Sequence, residues 1–388
     1  MDPGRALLES AAAALIDRLA ERGFHLVAIA AGGGSGAVAT LAGTPGASRS
    51  LLEGLVPHAR EAVDRLLGGP QETYCSSRAA RRLAMHGWSQ ARLLGSPAKG
   101  AIGGAVTASL ATTRPKLGDH RVVAAVQSLT GTAVFSLRLE KGARSRREEE
   151  TVAAWLLLAS LAAETAAAPL TPTPFLRPGE EVRVDRADAP LPWQELLAGK
   201  RVVAAADGDP PGAAPGRLVF PGSFDPLHEG HLGMAALAGA LTGRPVEFEL
   251  SIANVDKPLL DHIEVRRRSD QFAGRRLWLT RAATFVEKVA VFPRAVFILG
   301  ADTFTRLWDP RYYGGSAAAA AEAVGKIAAG VDGLIVFGRV RDGRFAAAAD
   351  GDAPDALRAV SRFVPEEQFR CDLSSTLLRR EQAACDSP

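Results

Sequence analysis

Pro221-Gly222-Ser223-Phe224-Asp225-Pro226-Leu227-His228-Glu229-Gly230-His231 decides how this chain is read. The apolar run Arg217-Leu218-Val219-Phe220 leads into it, and a run rich in alanine and leucine, 232–241, leads out. That pattern predicts a strand, a tight glycine-containing turn and the start of a helix. His228 and His231 stand three positions apart, so at a helix start they share one face. Free peptide N–H groups and the positive end of the helix dipole point the same way. Gly230 puts no side chain between the histidines, which leaves space for a ligand to lie against the backbone. Imidazoles, N–H groups and a dipole converging on one spot suit a polyphosphate.

Outward from this stretch the second half alternates strand and helix. Strands are expected at 218–220, 246–252, 295–299 and 333–337, and helices at 231–241, 278–288, 317–329 and 373–382. Such alternation predicts a parallel sheet covered on both faces, with ligands bound outside the C-terminal ends of the strands. Three more segments fall at strand ends or helix starts. They are Ala253-Asn254-Val255-Asp256-Lys257-Pro258, then Leu299-Gly300-Ala301-Asp302-Thr303 with Leu307-Trp308 beyond it, then Asp372-Leu373-Ser374-Ser375-Thr376-Leu377-Leu378-Arg379. The last is a helix start whose hydroxyls and N–H groups can grip phosphate oxygens, with Arg379 one turn on. An ordinary Ser/Thr cap is the plainer reading of that segment alone. Arg266-Arg267-Arg268 reads as a solvated helix face before it reads as a guide for anionic substrates.

The ten positions from Gly222 to His231 resemble the HxGH signature of the nucleotidylyltransferase superfamily. That superfamily includes the adenylyltransferases that make NAD and the cytidylyltransferases of lipid synthesis. Ser374-Ser375-Thr376-x-x-Arg379 resembles its second signature. Gly300-Ala301-Asp302 resembles the Gly-x-Asp segment of the nicotinamide mononucleotide adenylyltransferases. The resemblance implies that His228, His231 and Arg379 carry the chemistry. It implies that Gly222, Ser223, Phe224, Gly230, Ser374, Ser375 and Thr376 hold ATP. It places Asn254, Lys257, Gly300, Asp302 and Trp308 at the mononucleotide. ATP is then a substrate, and Mg²⁺ bridges its phosphates with no dedicated cage of protein ligands. The activity implied is adenylyl transfer from ATP to nicotinamide or nicotinate mononucleotide. Two alternatives remain open on the sequence: cytidylyl or adenylyl transfer to another phosphorylated acceptor, and a non-catalytic nucleotide-binding regulator.

The first half has its own order. A helix is expected over 6–22 and a buried strand over 24–30. The loop Gly32-Gly33-Gly34-Ser35-Gly36 follows, then a short helix over 37–42. A glycine loop between strand and helix can hold a phosphate, or it can simply be a close-packed turn. Helices at 61–67 and 76–86, strands at 104–111, 121–126 and 132–139, and a helix at 151–166 complete it. This order resembles the C-terminal domain of the competence-damage-inducible family, whose members include nicotinamide mononucleotide deamidases. The residues that carry it are Ala30 to Gly36, Leu41 and Pro45-Gly46, with the terminal strand and helix. Active members have a Glu-Ser-Cys-Thr-Gly-Gly-like loop where this chain has Ala30-Ala31-Gly32-Gly33-Gly34-Ser35-Gly36. Their later glycine-rich loop is replaced by Ala111-Thr112-Thr113-Arg114-Pro115. A hydroxyl nucleophile needs a base within reach, and the sequence shows no such pair. The expectation is an α/β deamidase-like domain without the chemistry (1–166), a proline-rich connector with one short helix (167–216), and a Rossmann-like parallel-sheet nucleotidylyltransferase domain (217–388).

Composition sets bounds on all of this. The chain has 388 residues and a net charge of +3, too small to indicate nucleic acid or a membrane surface as partner. Cys75, Cys371 and Cys385 have no paired spacing, which argues against a disulfide framework or structural zinc. The first 21 residues carry Asp2, Glu9, Asp17 and Glu21, so no signal peptide is expected, and no apolar run reaches about 18 residues. These features suit the cytoplasm, and they leave a homo-oligomer open.

Overall fold

The computed structural model describes residues 3–113, 117–166, 175–206, 216–255, 257–341, 344–346 and 353–371. They form a mixed α/β structure with two large sheets, divided into two compact units. The first unit holds residues 1–194 together with Asp256–Glu264, and the second holds Glu195–Val255 and Val265–Pro388.

In chain order the first unit contains α1 (Pro3–Arg22), β1 (His25–Ala31), α2 (Ser35–Gly43), β2 (Leu51–Leu55), α3 (Arg60–Leu67) and α4 (Ser77–Leu93). Then come β3 (Ala101–Ser109), β4 (His120–Gln127), β5 (Gly131–Leu139), α5 (Arg146–Glu164) and β6 (Val182–Asp188). The sheet order is β2-β1-β3-β4-β5-β6, parallel across β2, β1 and β3 and antiparallel from β3 to β6. Leu15, Ile16, Leu19, Leu26, Val106, Leu156 and Leu157 share one core, so α1 and α5 lie on one face. The two faces are told apart by neighbouring glycines in β3, because successive strand residues point to opposite sides. A side chain at Gly103 would stand 1.9 Å from the Ala84 carbonyl oxygen of α4, and one at Gly104 would stand 2.8 Å from Leu161 of α5. The sheet is therefore clamped between α4 and α5.

The second unit begins within α6 (Leu191–Ala198) and continues through β7 (Val203–Ala205), β8 (Leu218–Pro221), α7 (Glu229–Thr242), β9 (Val246–Ser251) and, from Val265 on, α8 (His262–Ser269). Next are β10 (Leu277–Thr280), α9 (Phe285–Val291), β11 (Val296–Gly300), α10 (Ala301–Thr305) and α11 (Ala317–Gly330). β12 (Gly333–Phe337), the hairpin β13 (Arg339–Arg341) and β14 (Arg344–Ala346), α12 (Asp355–Ala359) and β15 (Ser361–Val364) end the described part. The seven-stranded order is β15-β12-β11-β8-β9-β10-β7. It is parallel apart from β7, which runs antiparallel to β10. From β8 the chain winds one way through β9 and β10, then returns past β8 and winds the other way through β11, β12 and β15. The topology reverses between β8 and β11, and in doubly wound sheets that is where ligands bind.

Two expectations change. The helix expected over 278–288 is two elements, because Leu277-Trp278-Leu279-Thr280 is a fully buried strand beside β9. The helix starts only after Thr284, whose hydroxyl accepts the Glu287 N–H. The proline-rich stretch holds two strands, β6 and β7, besides its helix. The helix expected over 373–382 lies outside the described residues. Among the described residues, no helix is long and apolar enough to cross a membrane.

Candidate active site at the edge of the second sheet

β8 alternates as a buried strand should. Val219 enters the core formed with Phe297, Leu299, Leu334 and Val336, while Phe220 faces an aromatic cluster of Phe224, Phe248 and Phe272. The strand stops at Pro221, the chain turns, and α7 starts after His228, whose backbone is extended (φ −144°, ψ 169°). Phe224 stands in the left-handed region at φ 44° with its ring fully buried. A residue with a side chain pays for that conformation unless its surroundings enforce it. The aromatic cluster does so, with ring centroids 5.1 to 5.6 Å from Phe224.

The two imidazoles stack on each other, ring centroids 3.8 Å apart. The His228 backbone N–H donates to His231 Nδ1 at 3.3 Å. That nitrogen is therefore an acceptor, and the His231 ring proton sits on Nε2. Burial pushes the His231 imidazole down to about 4, helped by neighbouring His228, and burial also lowers His228. At neutral pH both rings are uncharged and offer N–H donors. His228 Nδ1 is buried without a hydrogen-bond partner among the described residues.

The Cβ position of Gly230 is closely surrounded. A side chain there would meet Cys371 Sγ at 2.7 Å and His228 Nδ1 at 3.0 Å. Glycine is thus the residue that lets Cys371 and His228 pack against this point of the helix. Phe224 offers only backbone to a ligand, since its ring is core.

The neighbouring strand brings the next piece. β11 pairs with β8 in register Val296↔Leu218 and Phe297↔Val219. Continued toward the C-terminal edge, that pairing starts the loops at Gly222 and Gly300 roughly one strand spacing (~4.8 Å) apart. Gly300 caps α10 and Asp302 lies in its first turn. Trp308 is half-buried, packed edge-on against Phe304. On the other side of β8, β9 ends at Ser251, and Asn254 follows in an exposed loop. The structure thus gathers Gly222 to His231, Asn254 and Gly300 to Asp302 at one sheet edge. Lys257 falls in the segment Asp256–Glu264, which belongs with the first unit. Ser374, Ser375, Thr376 and Arg379 lie outside the described residues.

A buried ion pair underlies the edge. Glu249 in β9, fully buried, accepts from Lys288 Nζ at 2.7 and 2.8 Å and from Thr280 Oγ1. Its backbone carbonyl accepts the Gly222 N–H at 3.0 Å, which ties the start of the turn to the sheet. Among the described residues, no group of three His, Cys, Asp or Glu side chains is placed to hold a metal ion.

In the first unit the glycine loop does start a helix, with Gly34 as the cap of α2. Glu150 of α5 occupies the place an incoming anion would take. Its Oε1 accepts from the Ser35 N–H at 2.8 Å and the Ser35 hydroxyl at 2.9 Å. A carboxylate at that end satisfies both the free N–H and the dipole. The absence of a hydroxyl with a nearby base is thus corrected: Ser35 and Glu150 make such a pair, 115 residues apart in sequence. Close by, the fully buried Glu149 bridges His120 Nδ1 at 2.6 Å and the Ala111 N–H at 2.5 Å.

No family model and no curated protein matches the chain. Solved structures do. A competence-damaged protein (CinA) superfamily protein from Escherichia coli is 19% identical, with 40% of this chain and 88% of that chain covered and a TM-score of 0.33. The competence/damage inducible protein CihA from Agrobacterium tumefaciens is 19% identical over 42% of this chain and 97% of that one, TM-score 0.35. The competence damage-inducible protein A (ComA) from Klebsiella pneumoniae is 19% identical over 41% and 97%, TM-score 0.34.

Proposed function

We propose that the second unit transfers an adenylyl group from ATP to nicotinamide or nicotinate mononucleotide, releasing pyrophosphate and forming NAD or its deamido form. The observation that supports this most is the stacked imidazole pair at the start of α7. It stands beside the point where the sheet's winding reverses, with Gly300 at the end of the adjoining strand and Asp302 in the first turn of the helix after it.

In this reading an oxygen of the acceptor phosphate attacks the α-phosphorus of ATP. The bond from that phosphorus to the bridging oxygen breaks in line, and the electron pair leaves on pyrophosphate. The attacking oxygen is already ionised near neutral pH, so no general base is required. What the protein supplies is alignment and stabilisation of developing charge. His231 donates through Nε2–H, the nitrogen left free by the backbone bond to Nδ1. His228 donates beside it. Gly222 and Ser223 offer backbone groups at the turn, and Asn254, Asp302 and Trp308 line the side toward the acceptor. Ser374, Ser375, Thr376 and Arg379 are assigned to the β- and γ-phosphates on their sequence pattern. Mg²⁺ carried on the triphosphate, when bound, neutralises charge on the leaving group through phosphate oxygens and water. The first unit, in this reading, is a deamidase-like domain whose glycine loop is filled by Glu150, and the protein works in the cytoplasm.

The test is direct. Purified protein is incubated with ATP, Mg²⁺ and nicotinamide mononucleotide, and pyrophosphate and dinucleotide are measured. Absence of both products sinks the proposal. His231→Ala is expected to lower kcat by about 10² or more while the melting temperature holds. An unchanged rate would remove His231 from the site.

A further inference from the structure

The turn before the histidines is held from outside by Gln271 and by two arginines of the run that reads in the sequence as a solvated face. Arg268 is buried, 7% exposed. Its Nη1 donates to the Ser223 carbonyl at 2.9 Å, and its Nη2 lies 3.5 Å from Asp225 Oδ2. Arg267 pairs with the other oxygen of Asp225. Gln271, in the short 3-10 turn Asp270–Phe272 after α8, contacts the turn twice. Its Nε2 donates to the Phe224 carbonyl at 3.1 Å, and its Oε1 accepts the Leu227 N–H at 2.8 Å.

We propose that Arg268 and Gln271 are positioning residues that latch the turn from Ser223 to Leu227 and so aim the imidazoles of His228 and His231. Three physical needs meet at this latch. Phe224 holds a left-handed backbone that a free turn would relax. The carbonyls of Ser223 and Phe224 and the N–H of Leu227 need hydrogen-bond partners, and these two side chains provide them. The Asp225 carboxylate, 5% exposed, requires cations beside it. The last latched atom is Leu227 N, one residue before His228. The His228 N–H in turn orients the His231 ring. Fixing Leu227 therefore fixes the direction in which both rings point. Misplacing reacting groups by about 1 Å costs about 10²-fold in rate.

Only the kinetic part of the test rests on the adenylyl-transfer reading. Full-length protein labelled at histidine is compared by NMR at a single alkaline pH as wild type, Gln271→Ala, Gln271→Glu, Arg268→Lys and the exposed control Asp270→Ala. Single His228→Asn and His231→Asn variants assign the resonances. The latch predicts that His228 and His231 imidazole signals move in Gln271→Ala and Arg268→Lys, and stay in place in Asp270→Ala. Gln271→Glu keeps the acceptor for Leu227 N–H, so its signals should lie between those of wild type and Gln271→Ala. Adenylyl transfer should fall about 10²-fold in kcat for Gln271→Ala with KM for the mononucleotide nearly unchanged. Imidazole signals that stay fixed in a folded Gln271→Ala overturn the latch. Should Gln271→Ala not fold, fixed signals in Arg268→Lys overturn it instead. A wild type without adenylyl transfer overturns the functional reading alone, and the NMR comparison still decides the latch.

Discussion

His262 shows what burial does to a single titratable side chain in this protein. It is 2% exposed in the first unit, its Nε2 lies 3.2 Å from the Leu129 carbonyl and its backbone N–H donates to Thr132 Oγ1 at 2.9 Å. Burial pushes its imidazole down to about 4. The folded protein therefore favours the neutral ring, while the unfolded chain takes up a proton near 6.5. Between those values the unfolded state binds more protons, so stability rises with pH. Stability should be full above about 6.5 and fall as pH drops toward 4, by at most about 3 kcal/mol for this group. Urea midpoints at pH 7.5 and 5.0 measure it. His262→Gln, which cannot titrate, should flatten the slope, and an unaltered slope would show that other groups set the acid limit. The histidines at the proposed site were readable from their spacing. The latch was not, because nothing in Arg266-Arg267-Arg268 reveals that the third arginine turns inward to a carbonyl 45 residues earlier.

Most elements of both sheets were legible because apolar runs and breakers coincide with them. β5 is the clearest case, where Phe135, Leu137 and Leu139 are buried and Arg138 is exposed between them. Misreadings have local causes. β10 is only four residues, too short to show a period, and it runs on toward a helix rich in the same residue types. β6 and β7 sit among prolines that announce a linker, yet both strands lie at sheet edges, where a proline-rich neighbourhood is tolerated. The closest packing between elements was also hidden, since it depends on a residue with no side chain. Gly103 lets α4 lie directly on β3. Gly103→Ala should push α4 off the sheet and cost about 3 kcal/mol or more, read as a fall in thermal midpoint. A midpoint near wild type would mean that the helix shifts easily.

The division into two units does not follow a single cut in the chain. Residues Asp256–Glu264 belong with the first unit although they come after β8 and β9 of the second. There, buried Arg81 of α4 pairs with Asp261 at 2.6 Å and Glu264 at 3.4 Å, 180 and 183 residues away in sequence. Such a pairing leaves no trace in local composition. A fragment ending at Gln194 should be less stable, by about 2 kcal/mol, than the same fragment carrying residues 257–264 on a flexible linker. Chemical denaturation of the two compares them, and equal stability would make the segment dispensable.

That returning segment sets a clock on the ribosome. A chain is made at roughly 5–20 residues per second, and the first unit stays without its last piece for about 70 residues after Gln194 has been added. Over the 180 residues from Arg81 to Asp261, roughly 9–36 s, the nascent protein carries Arg81 with neither Asp261 nor Glu264 yet synthesised. The N-terminal unit cannot finish folding before the strand that leads into the histidine turn has been made, so its maturation during synthesis is timed by its neighbour.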